Sequence, residues 1–357
     1  MNGIPDWKYK VIRPSGVADG HLIYLSTREV LVEAEKYGIT WEEVPGTRTF
    51  RLNYNGVIRY FYAQVPSSAS AVGFNSCVDK SITRAFLAHA QISIPKGFHI
   101  SRHDDQAYWL EVFNALQKPL VVKPSHGNQG QNVFMDIRDQ HEYLTAVAES
   151  FTFSHEANSG AIVEETAAGV EYRILATREK VIGILNRVPA NVIGDGQHTI
   201  QQLIEQKNSD PRRSDIKEDA LIKIPIDKHV LQHLAHLGMT LESIPAEGEQ
   251  VFLRLNSNIS TGGDSIDVTD TAHPSVTEIA LKVMAAIPGL EFAGIDFMTT
   301  DIQAEQQPGT YNIIEVNGSP GFCIHDYPYQ GKNRHAGREF LFLIYPELKD
   351  LPLPEGD

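Results

Sequence analysis

Two strand-like stretches, Phe292 to Thr299 (FAGIDFMT) and Thr310 to Gly321 (TYNIIEVNGSPG), constrain the fold more than any other part of the chain. In the second, Glu315 and Asn317 stand two residues apart and share one face of a strand, while Ile314 and Val316 are expected to turn into the core. Asp296, between Ile295 and Phe297, brings a third oxygen to that face if the two strands pair. Two carboxylates and an amide oxygen, with no His or Cys, suit Mg²⁺ or Mn²⁺ rather than zinc. Sparse sites of this kind complete their shell with substrate phosphates. The competing reading is a solvated hairpin with chance acidic residues, and these positions alone do not separate the two.

A chain of 357 residues, 42% of them hydrophobic, exceeds the size at which one core divides, so two or three domains are expected. Its 31 basic and 45 acidic residues sum to −14, which argues against a nucleic-acid partner and for small anionic ligands held by a few local cations. No apolar run reaches membrane-spanning length and the N-terminal stretch is polar, so no membrane partner and a cytoplasmic location are expected. Cys77 and Cys323 are too few for a disulfide framework.

Residues 1–75 read as a small α/β domain, with strands at His21 to Ser26, Thr49 to Asn53 and Val57 to Ala63, a helix at Thr27 to Tyr37, and a hairpin turn at Asn55-Gly56. Ser67 to Ser70 and Gly73 read as a connector. A helix from Asp79 to Ala90 carries Lys80 at its start. In PLVVKPSHGNQGQNV (Pro119 to Val133) a buried strand ends at Lys123, and Ser125 to Gly130 forms a loop able to turn backbone N–H groups toward phosphates. The lysine precedes the glycines and a second strand, Asn132 to Ile137, follows, so this is a flap between strands and no Walker loop. Strands at Ala161 to Glu165 and Val170 to Thr177 flank the turn Thr166 to Gly169. They place Glu164 and Glu171 where carboxylates could meet an adenine edge and a ribose diol. Residues 208–250 read as an insertion, with Asp219 to Ile226 extended and a helix at Lys228 to Leu237. There His229, His233 and His236 share a helix face without zincin spacing, so a half-exposed surface is preferred to a metal site. Val251 to Leu255 is expected to be a strand with Arg254 near its end, followed by a Gly-rich turn, Ser260 to Asp264.

Eight motifs stand in one order: Asp79-Lys80, VVKPSHGNQG (Val121 to Gly130), IVEETAAGVEYRIL (Ile162 to Leu175), RVPANVIGDGQHTI (Arg187 to Ile200), DPRR (Asp210 to Arg213), NISTGGDSIDVTD (Asn258 to Asp270), GIDF (Gly294 to Phe297) and IIEVNGSPGF (Ile313 to Phe322). In this order the chain resembles the ATP-grasp superfamily over residues 73–346. Within it the likeness is to the ligase domains of cyanophycin synthetases and to the glutathione synthetase half of bifunctional bacterial glutathione enzymes. The resemblance implies an α+β ATP-grasp fold, two α/β lobes clamping ATP behind a small N-terminal domain. It divides the chain at 1–75, 76–180 (central lobe with the flap) and 181–357 (C-terminal lobe with the metal site).

The same resemblance implies that Lys80 and Lys123 grip the ATP phosphates while Ser125, His126, Gly127, Asn128, Gln129 and Gly130 fold over them. Glu164, with the backbone of Glu165 and Ala167, would read adenine, and Glu171 would hold the ribose. Asp296, Glu315 and Asn317 would hold two Mg²⁺ (or Mn²⁺) ions. Arg254 would sit beside the transferring phosphate, Arg187 with Asn256 and Asn258 near the acyl substrate, and Ser319, Pro320, Gly321 and His325 on the acceptor side. Arg212 and Arg213 receive no role. Where relatives carry Arg-Gly-Val after the loop, this chain has Gln131-Asn132-Val133; asparagine tolerates a left-handed turn, but the arginine contact is gone. Neither a γ-glutamylcysteine-forming module nor a Mur-ligase-like module is expected beside these residues, so neither relative's product is implied, and a homo-oligomer is implied by analogy alone.

The chemistry suits the residues independently. A carboxylate is a poor acyl electrophile; its phosphorylation by ATP gives an acyl phosphate that an amine attacks, and this needs charge neutralisation and alignment, not a nucleophilic side chain. Cys323, two residues from His325, is therefore read as a packing residue. The expected activity is an ATP-dependent carboxylate-amine ligase joining amino acids or a short peptide. The alternatives are a small-molecule kinase, a ligase acting on a protein or ribosomal peptide, and a nucleotide-binding regulator.

Overall fold

The computed structural model describes residues 24–45, 47–127, 132–153, 160–216 and 219–354. His21 to Ile23 of the expected first strand, and Asn128, Gln129 and Gly130 of the expected flap, lie outside the described residues. The chain forms two compact units assembled from separated stretches. Unit 1 takes Met1–Ser68, Ile182–Thr269 and Gly321–Asp357; unit 2 takes Ala69–Val181 and Asp270–Pro320. The sequence reading drew three consecutive blocks instead.

Among the described residues unit 1 opens with α1 (Leu25–Lys36), so Leu25 and Ser26, expected in a strand, are helical. Val30, Leu31 and Ala34 bury one side of that helix. Strands β1 (Thr40–Val44), β2 (Thr49–Tyr54), β3 (Val57–Tyr62) and β4 (Val65–Pro66) form an antiparallel sheet in chain order. Asn55 and Gly56 both adopt positive φ (50° and 85°), the twist that joins β2 to β3 by a two-residue hairpin.

Unit 2 begins where a connector was expected. Ala71–Val78 is a helix, α2, capped by the Ser70 hydroxyl accepting from Gly73 N at 2.9 Å. Gly73 is required there because a Cβ would come within 2.6 Å of the Gly289 backbone. Helix α3 (Lys80–His89) follows, capped by Asp79. Strand β5 (Gly97–Ser101), α4 (Gln106–Ala115), β6 (Leu120–Pro124), β7 (Phe134–Ile137), α5 (Gln140–Phe153) and β8 (Gly160–Glu165) come next. They make an antiparallel sheet in the order β5-β8-β6-β7, whose core joins Val112, Phe113 and Leu116 to Tyr143, Ala146 and Val147 over Leu120, Val122 and Val163. Asn132 has φ 52°, the left-handed turn its motif position demands. Gly169 (φ 116°), pressed on the Thr299 backbone, turns the chain out of this sheet, so β9 (Val170–Thr177) belongs to a second one.

Back in unit 1, β10 (Val181–Val188) leads to β11 (Asn191–Ile193), and α6 (Ile200–Asn208) is closed by a capping box between Thr199 and Gln202. Residues Asp219 to Ile226 contain no named strand, only a bridge between Ser214 and Ile222. Helix α7 (Lys228–His236) exposes His229 and His236 and half-buries His233. Strand β12 (Gln250–Phe252) ends short of the expected Leu255 and pairs with β11; β13 (Asp264–Asp267) pairs with β10. One core, built from Val192, Ile200, Ile204, Ile224, Val230, Leu234 and Val251, seals α6 and α7 to the β11–β12 pair.

In unit 2, α8 (Pro274–Ala286) packs on β9 and β14 (Phe292–Thr299), and β14 pairs on its other edge with β15 (Tyr311–Asn317). Unit 1 closes with α9 (Cys323–Asp326) and α10 (Ala336–Ile344), the latter setting Phe340 edge-on to Phe61 and stacked on Phe322.

Candidate functional site

Register builds the site. On β14, Asp296 lies directly between Arg173 of β9 and Glu315 of β15, and Gly294 lies between Leu175 and Asn317. Alternation therefore gathers Glu171, Arg173, Asp296, Glu315 and Asn317 on one face of the three strands, with Tyr172, Ile174, Ile295 and Phe297 on the other. A bulge beside Asp296 shifts the β15 register, so Ile313, not the expected Ile314, joins Val316 in the core; both are 1% exposed. Glu315 keeps its face nonetheless.

Asp296 is buried, with Arg173 Nε 2.9 Å from its Oδ1. Glu315 is 32% exposed at its side chain, and Lys80 Nζ approaches it to 3.2 Å. Asn317 Oδ1 accepts from Ser319 N at 2.9 Å. Beside them the packing requires Gly294, since a Cβ there would meet Arg173 at 2.6 Å and Pro320 at 2.9 Å. Two opposed carboxylates and an amide oxygen are the hard donors that a divalent cation takes. Among the described residues no three His, Cys, Asp or Glu side chains gather as ligands, so the set depends on Asn317 as its third oxygen.

The lysines sit in the same unit. Lys80 opens α3 and donates to the Gly127 carbonyl at 2.6 Å, while its amide donates to the Ser125 carbonyl at 2.9 Å. Ser125 itself is fully buried: its amide donates to Gly160 O and its hydroxyl accepts from Gly160 N, so it anchors the base of the loop. His126 Nε2 lies 3.8 Å from Asp79. Lys123, 5% exposed at the end of β6, is ion-paired to Glu164 Oε1. Arg84 Nη1 reaches the other oxygen of Glu164 at 2.6 Å. The Glu165 amide donates to Lys96 O and its carboxylate accepts from Gln117 N at 3.0 Å. Ala167 is half-buried in the turn and Glu171 half-buried on β9.

Of the other expected residues, Arg187, Arg254, Asn256, Asn258, Gly321 and His325 belong to unit 1, and Ser319 and Pro320 to unit 2. Arg187, opposite Ser265 in the β10–β13 pair, is buried. Arg254, also buried, donates through Nη2 to Asp227, the residue that caps α7. Asn256 is exposed and Asn258 half-buried. His325 is fully buried against Gly183, Ser319 is half-buried, Pro320 buried and Gly321 exposed. Burial pushes the Cys323 thiol up to about 12, which leaves no thiolate for nucleophilic work at neutral pH.

Sequence reasoning missed Arg84 and gave Arg173 no task. The signal for Arg84 was its place one helical turn after Lys80, and for Arg173 its place two residues after Glu171 on a strand. Reasoning also left the DPRR motif without a role. Arg213, with no exposed side chain, pairs with Asp264 Oδ1 and donates to the carbonyls of Ile222 and Gly262. Lys207 Nζ lies 2.6 Å from Asp264 Oδ2, and Arg212 grips Asp210 while donating to Tyr329 O.

A sheet face of opposed carboxylates, with two lysines and a glycine-containing loop in the same unit, is the equipment of a metal-nucleotide domain. Residues 77–197 match the RimK-like ATP-grasp domain, and the chain shares the ATP-grasp fold. A bifunctional glutathione synthetase from Pasteurella multocida shares the fold, with a TM-score of 0.70 at 28% identity over 91% of this chain and 44% of that one. The cyanophycin synthetase of Trichormus variabilis is 34% identical over 329 residues, 92% of this chain and 36% of the relative. The glutathione biosynthesis bifunctional protein GshAB of Clostridium perfringens is 35% identical over 325 residues, 90% of this chain and 41% of the relative. The chain thus spans less than half the length of these relatives.

Proposed function

We propose that this protein is an ATP-dependent carboxylate-amine ligase, joining amino-acid-like substrates by a peptide or isopeptide bond through an acyl phosphate and releasing ADP and phosphate. The observation that carries this reading is the shared sheet face: Glu171, Arg173, Asp296, Glu315 and Asn317 side by side, with Lys80 at 3.2 Å from Glu315. The names of the relatives point to the same class of bond.

In this reading Asp296, Glu315 and Asn317 hold Mg²⁺ or Mn²⁺, which when bound supplies charge neutralisation at the transferring phosphoryl group. Lys80 has three donors; Gly127 O and Glu315 engage it, and the ammonium is placed to meet a phosphate as well. Lys123 supports the same phosphates, and Ser125 to Gly130 covers them from a base fixed at Gly160. Glu164, with the backbone of the turn, reads adenine, and Glu171 takes the ribose. The motif positions of Arg187, Arg254, Asn256 and Asn258 assign them to the acyl phosphate and its substrate. Those of Ser319, Pro320, Gly321 and His325 assign them to the acceptor.

The test is a panel of amino acids and dipeptides with MgATP, read by phosphate release and product mass. ADP and phosphate appearing only when an acid and an amine are both present, with a product of the summed mass less water, supports the proposal. A stable phosphorylated product formed without an amine overturns it in favour of a kinase.

A further inference from the structure

Helix α3 carries two cations on one face, Lys80 in its first turn and Arg84 one turn later, and they serve opposite ends of the candidate site. Lys80 reaches Gly127 and Glu315. Arg84 turns to Glu164, donating through Nη1 to Oε2 at 2.6 Å and through Nη2 to the Pro95 carbonyl at 2.8 Å. Lys123 holds the other oxygen of the same carboxylate. The glutamate is therefore clamped from two sides, with side chains 14% exposed for Arg84, 6% for Lys123 and 4% for Glu164.

Charge explains why a second cation is there. With Lys123 alone, Glu164 would form a neutral pair and draw that ammonium wholly to itself. Adding Arg84 leaves the trio with one positive charge in excess, so Lys123 can serve a phosphate without stripping Glu164 of its partner. Geometry adds to this. A carboxylate has about four lone-pair sites, and the two cations take one on each oxygen, so acceptor capacity remains, on a group held from both sides.

We propose that Arg84 is a positioning residue for purine recognition: it fixes the Glu164 carboxylate as an acceptor for the exocyclic amino group of adenine, without itself touching the nucleotide. This rests on the reading of Glu164 given above. Inosine triphosphate, which carries a carbonyl in place of the amino group, should be rejected by that acceptor, and Arg84 should set the strength of the rejection.

The experiment measures Kd for MgATP and for Mg-inosine triphosphate by isothermal titration on the full chain. It compares the wild type with Arg84→Met, Arg84→Lys and Glu164→Gln, each first shown to melt cooperatively. Arg84→Met should reduce the ATP preference about tenfold, chiefly by weakening ATP. Arg84→Lys, which keeps the charge but loses the two-armed reach of the guanidinium to Glu164 and the Pro95 carbonyl, should restore part of that preference. Equal weakening of both nucleotides by Arg84→Met, or an unchanged preference, would overturn the positioning role. The same holds if Arg84→Met does not fold and Arg84→Lys keeps the full wild-type preference. If Glu164→Gln also leaves the preference untouched, the adenine reading of Glu164 has failed; if Glu164→Gln shifts it and the Arg84 variants do not, the fault lies with Arg84 alone.

Discussion

Two charged clusters, one in each unit, use the same kinds of side chain to opposite ends. Around Asp264 in unit 1, Lys207 and Arg213 occupy one carboxylate oxygen each, Asn191 Nδ2 adds a bond at 3.1 Å, and Arg213 spends further donors on Ile222 and Gly262. Side-chain exposure there is 6% for Asp264, 16% for Lys207 and 0% for Arg213, and the Tyr329 ring lies against all three basic residues, Arg212 included. On the β9–β14–β15 face of unit 2, Glu315 is 32% exposed and meets Lys80 at 3.2 Å. Around Asp264 an incoming ligand would have to break buried pairs that nothing replaces. An open pair at the edge of water can exchange partners at small cost.

That contrast is most severely tested at Glu315. Under the proposed function, Glu315→Gln should cut MgATP turnover on the order of a thousandfold while shifting the melting temperature little. Phosphate release and a thermal melt on the same preparation check both halves, and near-normal turnover would break the metal assignment. Asp264→Asn should do the reverse in kind. It leaves Lys207 and Arg213 without their counter-charge in a buried place, so urea unfolding should show a loss of about 3–5 kcal/mol. An unmoved midpoint would mean the cluster is not closed at all.

Much of the unit 2 site was legible because its chemistry follows strand alternation. Glu315 two before Asn317, and Asp296 inside GIDF, required only that two strands pair, and they do. The bulge that exchanges Ile314 for Ile313 was not legible, since it arises from pairing and not from composition. Helix α2 was hidden by its small polar lead-in: Ser67 to Ser70 reads as a linker until Ser70 is seen to cap a helix and Gly73 to sit against Gly289. The role of DPRR was hidden for a different reason. Adjacent arginines look alike in sequence, yet Arg213 is engulfed and Arg212 lies nearer the rim, a distinction made by partners 51 and 117 positions away. The two-unit grouping, in which unit 1 draws on three separated stretches, is likewise a product of long-range packing.

A third cluster in unit 1 sharpens the comparison, because it gathers acids instead of pairs. Burial raises the Glu29 carboxyl above its ordinary range, against a lowering bond from Tyr327 at 2.6 Å. Burial followed by the charge of Glu29 raises Asp326 still further, despite the amides of Ala336 and Gly337 that donate to it. A carboxyl raised in the folded state favours folding below its unfolded pKa, and that advantage is lost as pH climbs toward the folded value. Glu29→Gln retains an acceptor for Tyr327 and removes the charge. Its melting temperature should therefore match the wild type near about pH 4 and gain on it by a few degrees near about pH 8. A constant difference across that window would show that ionising the buried Glu29 carboxyl is not what costs the cluster stability.

The smallest effect should come from the rim of the closed network. Asp210 is 21% exposed and its partner Arg212 14%, and Arg212 also donates to Tyr329 O at 2.9 Å, so Asp210→Asn leaves the guanidinium with a carbonyl and access to water. The expected loss is about 0.5–1 kcal/mol at neutral pH, far below that of Asp264→Asn in the same cluster. Its pH dependence has the opposite sign to that of Glu29. Burial pushes the Asp210 carboxyl up, but the bonds and charge of Arg212 outweigh it and hold the group below its ordinary range. The stability it brings is present above the unfolded pKa and disappears as pH falls through the folded one, so wild type and Asp210→Asn should converge in acid. Urea midpoints at two pH values measure this, and a gap that widened in acid would assign the effect to packing around Tyr329 instead of to charge.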